Sequence, residues 1–256
     1  MRTGFIKHIH SLVKQSDLII ELLDARHPEY TRNPTLENMI KTEGKKLLLV
    51  INKADLVSKD EMEKKKKEIS KESGVKTIFV SALERDGINM IRREISVESK
   101  GVENFTVGII GYPNVGKSTL INALAGKGRG RVATSRKAGL TRGISRVKVT
   151  EGMYLIDSPG IIPFKESEYD LFLVESKNPN QLKDVETAAV KLIASIGKEK
   201  IAKFYGAKIN NIEDMDEEDV LEEIARQKRF LQRKATPDTM KMARDILERY
   251  QKHEFI

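Results

Sequence analysis

The stretch GYPNVGKS at residues 111–118 limits the possible folds of this chain more than any other. Gly111 and Gly116 let the backbone curl so that consecutive N–H groups point inward, and Lys-Ser opens whatever follows. Such a turn binds an anion only between a buried strand and a helix N-terminus, where the amides and the positive end of the helix dipole converge. Both flanks are present: FTVGIIG (105–111) reads as a buried strand, and KSTLINALAG (117–126) as a helix. The amides of Asn114, Val115, Gly116, Lys117, Ser118 and Thr119 are therefore expected around a polyphosphate. Lys117 should reach its β- and γ-phosphates, and Ser118 should ligate Mg²⁺. A chance glycine-lysine turn would lack one flank. The pattern points to a nucleoside triphosphate and says nothing about which one.

The rest of the chain agrees with a parallel sheet. Apolar runs at 17–25 (DLIIELLDA), 45–51 (KKLLLVI) and 76–82 (KTIFVSA) alternate with amphipathic or charged stretches at 5–15, 34–42, 60–73 and 87–96. That alternation predicts an α/β fold, a mostly parallel sheet with helices on both faces. ISRVKV and MYLID, joined by the short turn TEG, read as a hairpin. Strand signals stop after about residue 175. Beyond it come helical segments at 185–196, 199–206, 219–234 and 236–250, the last with Thr236 as N-cap and Pro237 at the first helical position. We expect two domains, 1–175 and 176–256, the second small and all-α.

Composition narrows the chemistry. No cysteine is present, so thiolate catalysis and disulfides are excluded, and the four histidines do not cluster as metal ligands. The N-terminus lacks the apolar core of a signal peptide, and the longest apolar run is the five-residue LLLVI. A soluble, cytoplasmic, monomeric protein is expected. The net charge is +8, with eight Lys/Arg and no acid in 126–150, an acidic EDMDEEDVLEE at 213–223, and a basic RQKRFLQRK at 226–234. Focused positive charge of this kind suits a polyanion such as RNA. The lack of tryptophan favours structured RNA over stacked single strands.

Three further motifs complete a site. DSPG (157–160) ends the strand MYLID, where Asp157 can hold Mg²⁺ and the Gly160 N–H can meet a γ-phosphate. Thr141, just before the hairpin, is the natural second hydroxyl for Mg²⁺. NKAD (52–55) ends the strand KKLLLVI. Asp55 can accept from the guanine N1–H and N2 amino group, which adenine cannot supply. Asn52 can donate to guanine O6 or brace the phosphate loop, and the stem of Lys53 can lie over the base. Ser81 and Ala82 (SAL) close another strand, with the Ala82 N–H free to reach O6.

These are guanine-nucleotide motifs in an unusual order. NKxD and SA come first, then the phosphate loop, Thr141 and DSPG. Circular permutation explains this: residues 17–98 form the second half of the sheet, and VESKGVEN (97–104) joins what would otherwise be termini. With DARHP (24–28), similar to the family's DAR-x-P turn, the chain over residues 1–175 resembles the circularly permuted GTPases of the YlqF/YawG type. That resemblance implies GTP hydrolysis in large-subunit ribosome assembly, with rRNA or the large subunit as partner and a C-terminal RNA-binding domain. Lys117, Thr141 and Gly160 would be its catalytic groups. Where a Ras-type enzyme has a water-orienting glutamine, this chain has Ile161, which implies slow intrinsic hydrolysis. Asn114 resembles the asparagine that coordinates K⁺ in potassium-activated GTPases. A GTP-dependent adaptor without appreciable turnover is the competing expectation.

Overall fold

The computed structural model describes residues 2–126, 145–150, 152–157, 167–233 and 235–255. The chain divides into two compact units, 1–165 and 166–256.

In the first unit, α1 (Arg2–Gln15) precedes β1 (Leu18–Asp24), which is buried along its whole length. The short α2 (Pro28–Thr31) and α3 (Pro34–Thr42) lead to β2 (Lys46–Asn52). Then follow α4 (Lys59–Ser73), β3 (Thr77–Phe79) and α5 (Ile88–Glu98). The phosphate-loop strand β4 (Phe105–Gly111), α6 (Lys117–Ala125), β5 (Ser145–Thr150) and β6 (Met153–Asp157) complete the unit. The sheet order is β3-β2-β1-β4-β6-β5, parallel except for β5, which pairs antiparallel with β6 as the expected hairpin. The two sequence halves meet along the β1–β4 seam, where Leu18 lies opposite Val107 and Leu22 opposite Gly111. This seam puts the ends of β1, β2 and β4 side by side at one edge of the sheet.

One face of the sheet is covered by α1, α3 and α4. Leu12 and Val13 pack with Ile19, Ile110 and Ile156, and Ile69 with Leu23 and Ile51. Gly108 permits the approach of α1, since a Cβ there would lie 2.5 Å from Ser16 Oγ and 2.6 Å from Leu12 Cδ2. On the other face, Ile95 of α5 and Leu124 of α6 line a cavity of about 410 Å³ with Leu155 of β6.

Glu21 sits in the middle of β1, 1% exposed, its Oε1 accepting the Asn33 N–H at 2.8 Å and its Oε2 unpartnered. Burial, reinforced by the Glu37 carboxylate, pushes its pKa up to about 8. The folded protein therefore holds a proton there that the unfolded chain releases near 4.5. The associated stability is full below that value and is lost as pH rises towards 8, at ~1.4 kcal/mol per pH unit. Glu21→Gln keeps the acceptor and removes the titration. We expect it to raise the stability of the first unit by about 3 kcal/mol at pH 7, with little difference at pH 5. Denaturant midpoints at the two pH values check this; equal gains at both would assign the effect to packing.

In the second unit, α7 (Glu168–Leu173), α8 (Val185–Ile196), α9 (Lys198–Tyr205), α10 (Glu217–Gln227) and α11 (Thr239–Gln251) surround one apolar core. Phe172 and Leu173 are buried in that core with Leu192, Ile224 and Ile246. The division therefore falls before α7, near residue 165, and not at 175/176 as the loss of strand signals implied. The N-cap is also corrected. Asp238, not Thr236, caps α11, its Oδ1 accepting the Lys241 N–H at 3.0 Å. Pro237 instead bridges Leu231, and the Thr236 carbonyl accepts the Gln232 N–H at 2.8 Å. This tight turn occupies the groups a Thr236 cap would need. Likewise α10 stops at Gln227, because Arg229 takes a left-handed φ of 58°. No helix among the described residues is long and apolar enough to cross a membrane.

Candidate nucleotide site

The phosphate loop grows out of β4. Gly111 has φ 149°, and a Cβ there would lie 2.5 Å from the Leu22 carbonyl of β1. Asn114 (φ 61°) and Gly116 (φ 99°) then curl the chain into α6, and Val115 is fully buried. No side chain caps the α6 N-terminus and no acid occupies its first turn. The positive end of its dipole therefore meets no protein carboxylate in that turn and favours an anion. Lys117 Nζ folds back over the loop, donating to the Gly111 and Tyr112 carbonyls at 3.0 and 2.6 Å. An ammonium held by two carbonyls at the start of a helix fits a polyphosphate, whose oxygens would replace those carbonyls. Ser118 and Thr119 follow in the first turn of α6, half-buried.

Asn52 connects the rest of the site to this loop. Its side chain is 3% exposed. Nδ2 donates to the Val115 carbonyl at 2.8 Å, and Oδ1 accepts the Ala82 N–H at 2.9 Å. Of its two anticipated roles, the geometry favours bracing the loop. The same contact corrects the expectation for Ala82: its N–H is engaged by Asn52 and is not free to reach guanine O6. Gly116 is glycine for this reason too, since a Cβ would sit 2.3 Å from Asn52 Nδ2. Ser81 shapes the neighbouring turn, its N–H donating to the Asp86 carbonyl at 3.1 Å and its Oγ accepting the Glu84 N–H at 3.2 Å. Arg85 and Arg92 both donate to the Ala123 carbonyl, at 3.0 and 2.9 Å, tying this turn and α5 to the negative end of α6.

Lys53 takes a left-handed φ of 66°, and Asp55 follows in a single 3₁₀ turn, Ala54–Leu56. Asp55 is exposed, so a bound base would have to bury it. Asp157 ends β6 opposite Ile109 of the phosphate-loop strand. Thr141, Gly160 and Ile161 lie outside the described residues.

Sequence reasoning gave DARHP no role in the site beyond its resemblance to the family turn. Asp24 ends β1 beside Asn52, and the Ala25 N–H donates to the Asn52 carbonyl at 2.8 Å. Arg26 Nε and Nη2 donate to the two Asp24 oxygens at 2.9 and 2.6 Å, and Lys53 Nζ reaches Oδ2 at 2.8 Å. Burial alone would raise the Asp24 carboxyl, but the Lys53 ammonium and the Arg26 guanidinium hold it well below the usual carboxylate range. The one available signal was position, an acid at the end of a strand flanked by the motif strands.

The comparisons agree with this geometry. A family model described as "50S ribosome-binding GTPase" matches residues 106–232, and one described as "Ethanolamine utilisation - propanediol utilisation" matches 2–97. The chain is 37% identical over 250 residues to an uncharacterised GTP-binding protein of Methanocaldococcus jannaschii, covering 96% of this chain and 64% of that one. It is 35% identical over 195 residues to GTPase grn1 of Schizosaccharomyces pombe, covering 67% of this chain and 41% of that one. It thus spans less than two thirds of the length of these relatives. Its fold matches GNP-bound YlqF from T. maritima with a TM-score of 0.62 at 23% identity, covering 98% of this chain and 94% of that one. The permuted strand order and this fold match together show that the chain has a circularly permuted GTPase fold of the YlqF type.

Proposed function

We propose that this protein is a GTP-binding and GTP-hydrolysing switch that acts in assembly of the large ribosomal subunit through contact with rRNA. The observation that carries the reading is the Asn52 side chain, which couples the base-reading strand end to the phosphate loop through Val115 and Ala82. In this reading Asp55 selects guanine, Lys53 covers the base, and Lys117 neutralises the β- and γ-phosphates. Mg²⁺, held by Ser118, Thr141 and Asp157, would supply further neutralisation of phosphate charge when bound. Asn114 is the candidate K⁺ ligand. Ile161 cannot orient water, so turnover by the chain alone is slow.

The basic stretch 126–150 and the basic run 226–234 of the second unit supply the RNA contacts in this proposal, supported by their charge and by the family description "50S ribosome-binding GTPase". A GTP-dependent adaptor without turnover is the second reading, favoured by Ile161 and by the acidic face of α10, where Glu217, Glu218 and Asp219 form the first turn.

Co-sedimentation with isolated ribosomal subunits tests the proposal. Large-subunit binding in a non-hydrolysable GTP analogue, lost in GDP and lost with Asp55→Asn, is the expected result. No binding in either state, at low salt in K⁺ buffer, overturns the ribosome assignment. Binding with no subunit-stimulated hydrolysis selects the adaptor reading.

A further inference from the structure

We infer that Asp24 is a positioning residue for the guanine nucleotide, acting through Lys53. The inference rests on the reading of residues 52–55 as the base reader and assigns a task to the DARHP turn that precedes it by about thirty residues.

The geometry runs from the outside inward. The turn after β1 is anchored from several sides. Lys65 Nζ of α4 donates to the Ala25 and Arg26 carbonyls at 3.2 and 2.9 Å, and the Asp24 N–H donates to Thr31 Oγ1 at 3.0 Å. Within this frame the Asp24 carboxylate is 1% exposed and cannot swing away. Oδ1 accepts from the Arg26 backbone N–H at 3.0 Å and from Arg26 Nε at 2.9 Å. Oδ2 accepts from Arg26 Nη2 and from Lys53 Nζ, at 2.6 and 2.8 Å. Such a carboxylate has no lone pair directed at a metal or substrate. Its outward-facing partner is Lys53.

Lys53 sits at the hinge of the NKAD motif in a backbone conformation that non-glycine residues avoid, φ 66°. A lysine on an exposed turn normally samples many rotamers, and ordering it when a ligand arrives costs affinity. Here the ammonium is tied at its far end to a rigid carboxylate, so the methylene stem is stretched between the turn and Asp24. That stem is the apolar surface on which a purine ring can lie. The ion pair therefore sets the wall of the base pocket before the nucleotide arrives. It also couples β1 to β2 at the strand ends, beside the Ala25 to Asn52 hydrogen bond of 2.8 Å.

The test is a double-mutant cycle on GDP affinity, with folding of each variant confirmed by circular dichroism. Asp24→Asn and Lys53→Met are each expected to weaken GDP binding about tenfold, and the double variant no further than Lys53→Met alone. Penalties that multiply in the double variant overturn the inference, because Asp24 would then act independently of Lys53. Arg26→Met covers the case in which Asp24→Asn does not fold. It leaves Asp24 held by the residue 26 amide and facing Lys53, so affinity should stay within about threefold. A loss of tenfold or more would place the role in the Asp24–Arg26 pair and overturn the inference equally. A wild-type chain that binds GDP no better than ADP overturns the reading of residues 52–55 themselves, and this inference with it. That failure is visible before any variant is made.

Discussion

Gly116→Ala is expected to abolish nucleotide binding and to lower the stability of the first unit by about 2–4 kcal/mol. The new methyl would sit 2.3 Å from Asn52 Nδ2, well inside contact distance. Either the loop or the Asn52 amide has to move, and Asn52 is buried and bonded at both ends, to Val115 and Ala82. Each bond is worth roughly 0.5–1.5 kcal/mol net, and an orphaned buried partner costs more. The positive φ of 99° adds ~1 kcal/mol for any residue with a Cβ. Gly44 supplies the control: its φ is 68°, but nothing lies within 4 Å of an added Cβ. Gly44→Ala should therefore show only the conformational cost, about 1 kcal/mol, with GDP affinity intact. Calorimetric titration and thermal melting of the two variants measure the difference. If Gly116→Ala binds GDP like the parent, the Asn52 brace is not what holds the loop.

Asp55→Asn should cost GDP binding by a factor of about 10²–10³ while leaving the fold untouched. In the proposed reading the carboxylate accepts from the guanine N1–H and N2 amino group, and two charge-assisted bonds are worth together roughly 3–4 kcal/mol. Because Asp55 is exposed, its replacement leaves no buried group unpaired in the free protein. The substituted amide presents a donor where guanine also presents one, but xanthine offers a carbonyl there. Selectivity should shift towards xanthosine diphosphate rather than vanish. Competition among GDP, XDP and ADP reads this directly. Unchanged GDP affinity would remove Asp55 from the base pocket.

Several parts of the site were legible in the residues because their cause is local. A glycine at 116 followed by Lys-Ser marks a loop-to-helix junction whatever surrounds it. The runs DLIIELLDA and KKLLLVI could be read as strands because a parallel strand is buried on both faces and reads as a near-continuous apolar run, which Glu21 interrupts only once. Where local reading failed, a competing contact decided. Asn52 could have met the base or the loop, and only the position of the Val115 carbonyl chose. The Ala82 N–H was offered to a base and taken by Asn52 instead. Thr236 is as good a cap as Asp238 by composition, yet a bridge between Leu231 and Pro237 used its backbone. The exposure of Asp55 was equally invisible, because burial depends on chains distant in sequence.

What the residues determined alone was the kind of site to propose and the order of its motifs: a phosphate-loop motif at 111–118, a guanine-reading motif at 52–55, and a permuted sheet that joins them. These follow from chain geometry within one strand, one turn and one helix. What only the tertiary structure decided was which side chains touch between the ends of β1 and β2. Asp24 and Lys53 are far apart in sequence and 2.8 Å apart in space. Parallel pairing of β1 with β2 places Asp24 opposite Asn52, so two strand ends bring an acid and a base into contact. That register is set by burial of the whole sheet, and no short stretch of the sequence contains it.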